Sequence, residues 1–307
     1  MAIVIAMLKI VAALALGYFL NKIRIIDSKS GAAMSKLIIF ATSPCLTFAS
    51  IVSMGSERKD EAVMLLWLGV VIYVFLTVIA FVTVKLIRVP KESFATYMCV
   101  LIFGNVGFIG FPLAQSLYGS LGLFYIGILN IHFTLFAYTF GMVLMTGASG
   151  GKIKFSVKTL INPGTVSVVL ALILFLLDVK LPDIVLEPIS FIGQITSPLA
   201  MIVLGSTLAG YSLKTVFSNW RNYIVSIVRL LVMPAIAFLI MNAIWGVSEL
   251  TTCVTLYVGC PTATILVMMS LAYGGDVENS SASIGLTTVL SIITIPVLWF
   301  FVQAVGA

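Results

Sequence analysis

Long apolar runs recur along almost the whole chain and constrain its fold more than any other feature. Apolar residues make up 61% of the 307 residues and charged residues only 9%, whereas an ordinary soluble domain has about 25% charged residues. An apolar run of about 18 residues or more can cross the hydrocarbon of a bilayer as a helix. The sequence therefore excludes a water-soluble globule and predicts an all-α polytopic membrane protein.

Ten such runs predict ten transmembrane helices, called spans here, and the first run is expected to remain in the membrane as a span. Their approximate limits are residues 3–20, 34–53, 62–84, 94–117, 121–147, 163–177, 188–210, 221–246, 250–273 and 279–303. The four cysteines all lie inside apolar runs, without the spacing of a metal site, and are interpreted as packing residues.

Basic residues are distributed unequally between the loops of the two membrane faces. Alternating the loops between the faces places three basic residues on one side, namely Arg58, Lys59 and Lys180. The other side receives twelve, namely Lys22, Arg24, Lys29, Lys36, Lys85, Arg88, Lys91, Lys152, Lys154, Lys158, Lys214 and Arg221. Because cytoplasmic loops are rich in Lys and Arg, the second side is expected to be cytoplasmic. The chain is then a multi-pass protein of the cell (inner) membrane with both termini extracellular or periplasmic.

Two short motifs recur at nearly the same offset along the chain. Thr42-Ser43-Pro44 recurs as Thr196-Ser197-Pro198 at an offset of 154, and SLYG at 116–119 recurs as LAYG at 271–274 at an offset of 155. This register predicts two five-span repeats, residues 1–150 and 151–307. Because five is odd, the second repeat enters the membrane from the opposite face. Inverted repeats of this kind are typical of secondary transporters.

Span 4 carries poor helix formers near its centre, in the sequence FGNVGFIGFP at residues 103–112. We predict that Pro112 breaks the helix, because proline lacks an N–H and crowds the preceding turn. The glycines at 104, 107 and 110 are predicted to form a small-residue stripe on one side of that helix. Pro261 sits in a similar position in span 9. Backbone groups freed at membrane depth must be buried in protein or line a cavity, and transporters bind cargo between two such broken helices.

Asn105 is therefore the polar residue expected to meet the cargo, although a packing stripe without a ligand remains the alternative. Arg229, an ionisable residue inside span 8, is expected to complement a carboxylate or, alternatively, to be a structural charge capped by backbone carbonyls near Pro234. His132, the sole histidine, is a candidate for proton coupling because imidazole titrates near neutral pH; packing is its alternative role. The remaining candidate substrate-binding residues are Pro112, Pro261, Thr262, Thr264, Gln115 and Ser43.

Three segments resemble the auxin efflux carrier family, whose bacterial members are related to the plant PIN transporters. GNVGFIGFP, at residues 104–112, resembles the family's Gly-Asn-x-Gly-x-x-Gly-x-Pro signature of span 4. GCPTATILVMMSLAYGGDVENSSASIGLTTVLSIITIPVLW, at residues 259–299, resembles the segment from span 9 to span 10 of bacterial members. INPGTVSVV, at residues 161–169, resembles the Asn-Pro start of the sixth span.

This resemblance implies a ten-helix fold of two inverted five-helix repeats, like that of the bile-acid sodium symporters, in which the broken spans 4 and 9 cross at their prolines. It also implies a scaffold of spans 1, 2, 6 and 7 that mediates homodimers, and a transport domain of spans 3–5 and 8–10 that moves like an elevator. In plant members the asparagine of the span 4 motif contacts the substrate carboxylate, and the residue at that position is Asn105. Span 2 faces the substrate in this family, which implicates Ser43. The span 9 sequence Pro261-Thr262-Ala263-Thr264 differs from the Pro-Gln-Gly type of plant members, so the resemblance does not fix the substrate.

The leading hypothesis is a secondary transporter for a small organic anion, such as the dicarboxylates malate or malonate or a monocarboxylate. One alternative is a sodium-coupled organic anion symporter of similar architecture, and another is an intramembrane enzyme. The sequence has no HExxH motif, phosphate loop, paired membrane carboxylates or serine with a nearby base, so no catalytic residue, metal or cofactor is expected. The bilayer is the expected partner and nucleic acid is not, because the basic residues form no patch.

Overall fold

The computed structural model describes residues 2–148, 161–210, 216–217 and 219–306. Within these residues the secondary structure is helical, with short π and 3₁₀ turns and one isolated β-bridge. The predicted all-α class is therefore confirmed for the described residues. Four of the basic residues used to orient the chain, Lys152, Lys154, Lys158 and Lys214, lie outside them.

The α-helices of the first half of the chain are α1 (Ala2–Lys22), α2 (Ser28–Leu37), α3 (Ser43–Val52), α4 (Lys59–Leu86), α5 (Lys91–Ile102), α6 (Phe111–Phe136) and α7 (Met142–Ala148). Those of the second half are α8 (Pro163–Leu176), α9 (Asp183–Gln194), α10 (Thr196–Gly210), α11 (Trp220–Ile227), α12 (Met233–Trp245), α13 (Glu249–Val258), α14 (Ile265–Tyr273) and α15 (Val277–Gly306). Turns of π-helix continue several of these helices, at Ile38–Thr42, Val106–Gly110, Ala137–Gly141 and Val228–Val232.

Six helical segments of the described residues are long and apolar enough to cross a membrane. They are Lys29–Val52, Lys59–Leu86, Val106–Gly147, Asp183–Gly210, Trp220–Trp245 and Val277–Val305. The number is lower than the ten spans predicted, partly because predicted span 9 is divided between α13 and α14, of 10 and 9 residues. Predicted span 6 corresponds to α8, an apolar helix of 14 residues. The chain is thus a polytopic membrane protein, whereas the count of ten stays a prediction.

Local signals in the sequence explain several helix boundaries. Asn162 caps α8 by accepting a hydrogen bond from the Thr165 N–H at 3.0 Å, and proline follows it at the first helical position. Gly119 interrupts α6 with a positive φ of 56°, which glycine adopts without steric cost. Gly274, its counterpart in the predicted repeat, ends α14 with a φ of 78°. The glycine of the Leu-Tyr-Gly sequence therefore kinks its helix, and the glycine of the Ala-Tyr-Gly sequence ends its helix.

The helices also expose large apolar side chains, as expected of surfaces that face lipid. Trp67 on α4 is 74% exposed and Ile184 on α9 is 83% exposed. A soluble protein of this size would rarely leave so many large apolar side chains in water. These outward faces are consistent with membrane helices, whose surroundings are as apolar as their side chains.

The described chain divides into two compact units, each of which takes residues from both sequence halves. Unit 1 takes its described residues from Met1–Leu68, Gly107–Ile131 and Val157–Gly210. Within it, α1 lies along α10, and α3 packs against α8 and α9. Unit 2 takes its described residues from Gly69–Val106, His132–Ser156 and Tyr211–Ala307, and packs α15 against α5, α11, α13 and α14. The predicted division into repeats, scaffold and transport domain stays a prediction.

Candidate substrate site at the paired helix breaks

Unit 2 contains two interruptions of its helices, at residues 103–105 and 259–264, which we call the paired breaks. The first follows the end of α5 at Ile102, where Phe103 turns to an extended conformation with φ −97° and ψ 107°. The second separates α13, which ends at Val258, from α14, which begins at Ile265. The breaks occur in the predicted spans 4 and 9.

The position of the first break differs from the sequence prediction. Pro112 does not mark it; this proline follows the π turn Val106–Gly110 after one residue and lies inside the continuous helical segment Val106–Gly147. The prediction of a three-glycine stripe on one helix is wrong, because Gly104 lies in the break while Gly107 and Gly110 lie in the following π turn.

Hydrogen bonds between the two breaks satisfy the backbone groups that the helices leave free. Gly104 and Thr262 form an antiparallel β-bridge. The Asn105 N–H donates to the Pro261 carbonyl at 2.6 Å, and the Ala263 N–H donates to the Phe103 carbonyl at 2.9 Å. Because unpaired backbone groups at membrane depth are costly, each break stabilises the other.

Two threonines complete this backbone pairing. The Thr262 hydroxyl donates to the Val100 carbonyl at 3.2 Å, and the Thr262 N–H donates to the Thr287 hydroxyl at 3.1 Å. Thr262 is fully buried, so its hydroxyl is committed to α5. Thr287 on α15 is not among the residues that the sequence motifs predict. The signal that points to it is a buried polar row on one face of α15, formed by Ser280, Ser283, Thr287 and Ser291.

Arg229 is the charged residue of the paired breaks. Its side chain is 1% exposed, and it lies in the π turn Val228–Val232. Its Nε donates to the Cys260 carbonyl at 3.0 Å, and its Nη1 donates to the Leu101 carbonyl at 2.9 Å. These carbonyls lie at the C-terminal ends of α13 and α5, where the helix dipoles concentrate partial negative charge.

Backbone carbonyls, rather than a carboxylate, therefore stabilise the guanidinium of Arg229. Arg58 and Glu61 form the single ion pair found among the described residues. The structure shows the alternative role predicted for Arg229, a charge capped by backbone carbonyls. The capping carbonyls are those of Leu101 and Cys260 and not, as predicted, those near Pro234. Gly104 provides the space, because a Cβ at this position would collide with Arg229 Nη2.

The other predicted residues of unit 2 differ in how accessible they are. Asn105 is 3% exposed, and Pro261 is also buried. Thr264 is half-buried at the N-cap position of α14, and its side chain makes no capping hydrogen bond. His132 is buried on α6, and a Cβ at Gly69 of α4 would collide with its ring. The Tyr73 and Tyr257 hydroxyls, which no motif singled out, lie 2.9 Å apart in the same unit.

Three predicted site residues belong to unit 1. Ser43 is half-buried at the start of α3, and Pro112 is buried. Gln115 is half-buried and accepts a hydrogen bond from the Ser197 hydroxyl at 2.5 Å through its Oε1. It also lines a cavity of about 280 Å³ between α3, α6 and α9.

The described residues are helical, include several membrane-length helices and contain paired breaks inside predicted spans, which are features of a polytopic membrane transport protein. The membrane transport protein family matches residues 2–154 and 151–299. The chain therefore belongs to this family, the auxin efflux carrier family that its motifs resemble.

Relatives similar to the chain over most of its length carry transporter names. An uncharacterized transporter of Methanocaldococcus jannaschii is 26% identical over 292 residues, which cover 92% of this chain and 93% of the relative. An uncharacterized transporter of Escherichia coli K12 is 26% identical and covers 97% and 96%. A putative malonate transporter of Rhizobium meliloti is 24% identical and covers 88% and 87%.

Proposed function

We propose that the chain is a secondary transporter that moves a small organic anion, a mono- or dicarboxylate such as malate or malonate. The observation that carries this proposal is the Arg229 guanidinium, a buried cation at the paired breaks that hydrogen-bonds to carbonyls. A cation without a carboxylate partner attracts an anion into its surroundings, because charge interactions are strong at low dielectric. The name of the Rhizobium meliloti relative agrees with a dicarboxylate.

Asn105 and Thr264 supply the polar contacts of the proposed site. The Asn105 amide has two N–H donors for a carboxylate, and the Thr264 hydroxyl stands at the N-terminus of α14. Free N–H groups in the first turn of a helix also favour an anion. In this proposal Pro261 and Thr262 shape the second break, at residues 259–264. Contacts of the cargo with Ser43, Pro112 and Gln115 form during only part of the transport cycle.

The proposed mechanism is alternating access of the elevator type, in a ten-span fold of two inverted repeats that assembles as a homodimer through its scaffold spans. The cell membrane, with both termini outside, is the proposed location. Transport, rather than catalysis, agrees with the names of the relatives.

Transport into proteoliposomes tests the substrate class. We expect purified protein to carry labelled malate or malonate faster than empty liposomes, and Asn105→Ala to reduce uptake by about tenfold, because a carboxylate loses hydrogen bonds from a buried amide. Asn242→Ala, a half-buried asparagine of α12 in the same unit, is the matched control and retains uptake. Uptake of malate, malonate and lactate no faster than in empty liposomes would contradict the carboxylate assignment.

Proton coupling through His132 is part of the proposal, and the sodium-coupled symporter is its alternative. We expect uptake to respond to an imposed pH gradient in the parent and to lose this response in His132→Gln, because glutamine does not titrate. Retention of the response in this variant refutes the role of His132. Uptake that requires a sodium gradient, and not a pH gradient, would favour the symporter.

A further inference from the structure

The two carbonyls that bind Arg229 lie at the C-terminal ends of two short helices of unit 2. Leu101 belongs to the last turn of α5, a helix of 12 residues, and Cys260 follows the end of α13, a helix of 10 residues. The last carbonyls of a helix have no N–H partner inside it. Two helices therefore place partial negative charge beside the same guanidinium.

The pairing of the breaks explains why the Leu101 carbonyl needs a donor from elsewhere. A continuous helix would satisfy this carbonyl with the N–H of Asn105, four residues later. That N–H instead donates to the Pro261 carbonyl across the paired breaks. Because a buried carbonyl without a partner is costly, the Leu101 carbonyl requires a donor or a cation from outside its own helix.

The charge of the guanidinium matches what the two helix ends require. Each helix C-terminus is equivalent to about −0.5 of an elementary charge, so the ends of α5 and α13 together amount to about −1. Arg229 supplies one positive charge from a side chain that is 1% exposed. A buried charge without such partners would be very unfavourable, so the helix ends and the guanidinium stabilise each other.

Carbonyls at interrupted helix ends are also the groups with which membrane transporters bind alkali-metal cations. The paired breaks have this lining, because the Leu101 and Cys260 oxygens lie 2.9 and 3.0 Å from two nitrogens of one side chain. Gly104 leaves room for that side chain, since a Cβ there would collide with Arg229 Nη2. The paired breaks thus have the form of a cation site whose occupant is covalently attached to the chain.

We propose that Arg229 is a tethered cation, which occupies an alkali-metal site at the paired breaks and makes a free ion unnecessary there. In the parent protein this site binds neither sodium nor potassium. Removal of the guanidinium leaves two buried carbonyls without a donor, in a space that an ion and water can enter. An Arg229→Ala variant therefore gains an alkali-metal site that the parent does not offer.

A second consequence rests on the proposed function, in which Arg229 attracts the organic anion. A bound ion can dissociate, whereas a tethered charge cannot. The anion site therefore carries its positive charge before any other ligand binds. The affinity of the parent protein for an anion is accordingly independent of sodium and potassium.

Thermal unfolding of the full-length protein in detergent, without any organic anion, tests the site itself. The unfolding temperature is measured at constant ionic strength while sodium chloride or potassium chloride replaces N-methyl-D-glucamine chloride. We expect no saturable change in the parent and a saturable rise of about 3 °C or more in Arg229→Ala with at least one of the two ions, because a ligand of the folded state raises its stability by mass action. Arg229→Gln, whose amide retains a donor for one carbonyl, is expected to gain the same kind of response and keeps the test available if Arg229→Ala does not fold.

Two matched variants separate the loss of the buried charge from the loss of an arginine in general. Arg221→Ala removes an arginine that also donates to two backbone carbonyls, those of Ile87 and Arg88, but at a partly buried position where water replaces it. Arg229→Lys keeps a tethered charge, so neither variant is expected to gain a response. A saturable rise in the parent, Arg221→Ala or Arg229→Lys, or its absence from both Arg229→Ala and Arg229→Gln, overturns the proposal.

Thermal shifts of the parent by malonate, malate and lactate test the second consequence. We expect the apparent affinity of any anion that binds to be the same, within about twofold, in the sodium, potassium and N-methyl-D-glucamine salts. Loss of the shift in N-methyl-D-glucamine overturns the role of the tethered charge in anion binding. The absence of a shift with every anion in every salt contradicts the proposed function and not the cation site, which the anion-free experiment decides.

Discussion

Arg229 joins two helix ends that are distant in sequence through the carbonyls of Leu101, 128 residues before it, and Cys260, 31 residues after it. Arginine suits this position because its planar fork presents several donors at fixed angles, whereas lysine is a point charge on a flexible stem. We expect Arg229→Met to lower the unfolding temperature and abolish transport. Each carbonyl that loses its buried donor costs about 1–3 kcal/mol. Arg229→Lys is expected to restore part of the stability, because the charge remains.

Arg221 offers a matched control for this prediction. It also donates to two backbone carbonyls, those of Ile87 and Arg88, both at 3.3 Å, but it is only partly buried. Arg221→Met is expected to cost much less stability, because water replaces the lost donors. Equal losses in the Arg221 and Arg229 variants, measured by thermal unfolding, would contradict the role assigned to burial.

Residue identities at the paired breaks are partly predictable from sequence, and their hydrogen-bond partners are not. Asn105, Pro261, Thr262 and Arg229 stand out as polar or helix-breaking residues inside apolar runs. The pairing of Thr262 with Val100 and with Thr287 depends on contacts between helices distant in sequence. A single sequence records no such contact, which is why Thr287 was not predicted.

At the scale of the helix, prolines follow π turns in a recurring arrangement. The turns Ile38–Thr42, Val106–Gly110 and Val228–Val232 are each followed, after one residue, by Pro44, Pro112 and Pro234 respectively. A π turn widens the helix, and this relieves the clash of a proline ring with the preceding turn. Proline therefore predicted irregular helix geometry correctly but not the break at residues 103–105. That break depends on pairing with the second break, which sequence periodicity does not encode.

The start of α15 provides a pH-dependent prediction. Burial raises the pKa of the Asp276 carboxyl, but hydrogen bonds from Asn279 and Ser93 outweigh this effect and hold its pKa below the usual 3.8. The Asn279 N–H donates to Asp276 Oδ1 at 3.0 Å, and the Ser93 hydroxyl donates to Oδ2 at 2.7 Å. A carboxyl whose pKa is lower in the folded state stabilises the fold above its unfolded pKa.

We therefore expect Asp276→Asn to reduce stability by about 0.3–1 kcal/mol at neutral pH, because asparagine can still cap α15 but removes the negative charge at its N-terminus. The difference from the parent is expected to shrink as the pH falls through the lowered pKa, below 3.8, because the parent carboxyl is then protonated too. Thermal unfolding across this pH range checks the prediction, with Asp178→Asn as the control. A difference that stays constant down to the lowest pH would exclude a charged cap.

At the scale of the whole molecule, composition alone predicts the class of protein, and hydropathy predicts most of its membrane segments. Hydropathy does not predict where a membrane helix breaks, because it measures apolar length and not helical continuity. Predicted span 9 is apolar throughout, yet it is two helices joined by residues 259–264. The sequence repeats likewise predict which segments are related, but they do not predict which segments pack together. Each compact unit contains residues from both halves of the chain.

Membrane orientation is a property of the whole molecule, and the distribution of basic loops predicts it. Moving basic residues across a membrane is unfavourable, so the loop around Arg88 is expected in the cytoplasm and the loop around Lys180 outside. Alkaline phosphatase, which folds actively only outside, is expected to be active when fused after Lys180 or Gly306 and inactive after Arg88. Green fluorescent protein fused at the same three positions is expected to give the opposite pattern. Fluorescence at Gly306 together with active phosphatase at Arg88 would show that the orientation is the reverse of the one predicted. Fluorescence at Gly306, with the expected results at Arg88 and Lys180, would instead contradict an even number of spans after Lys180.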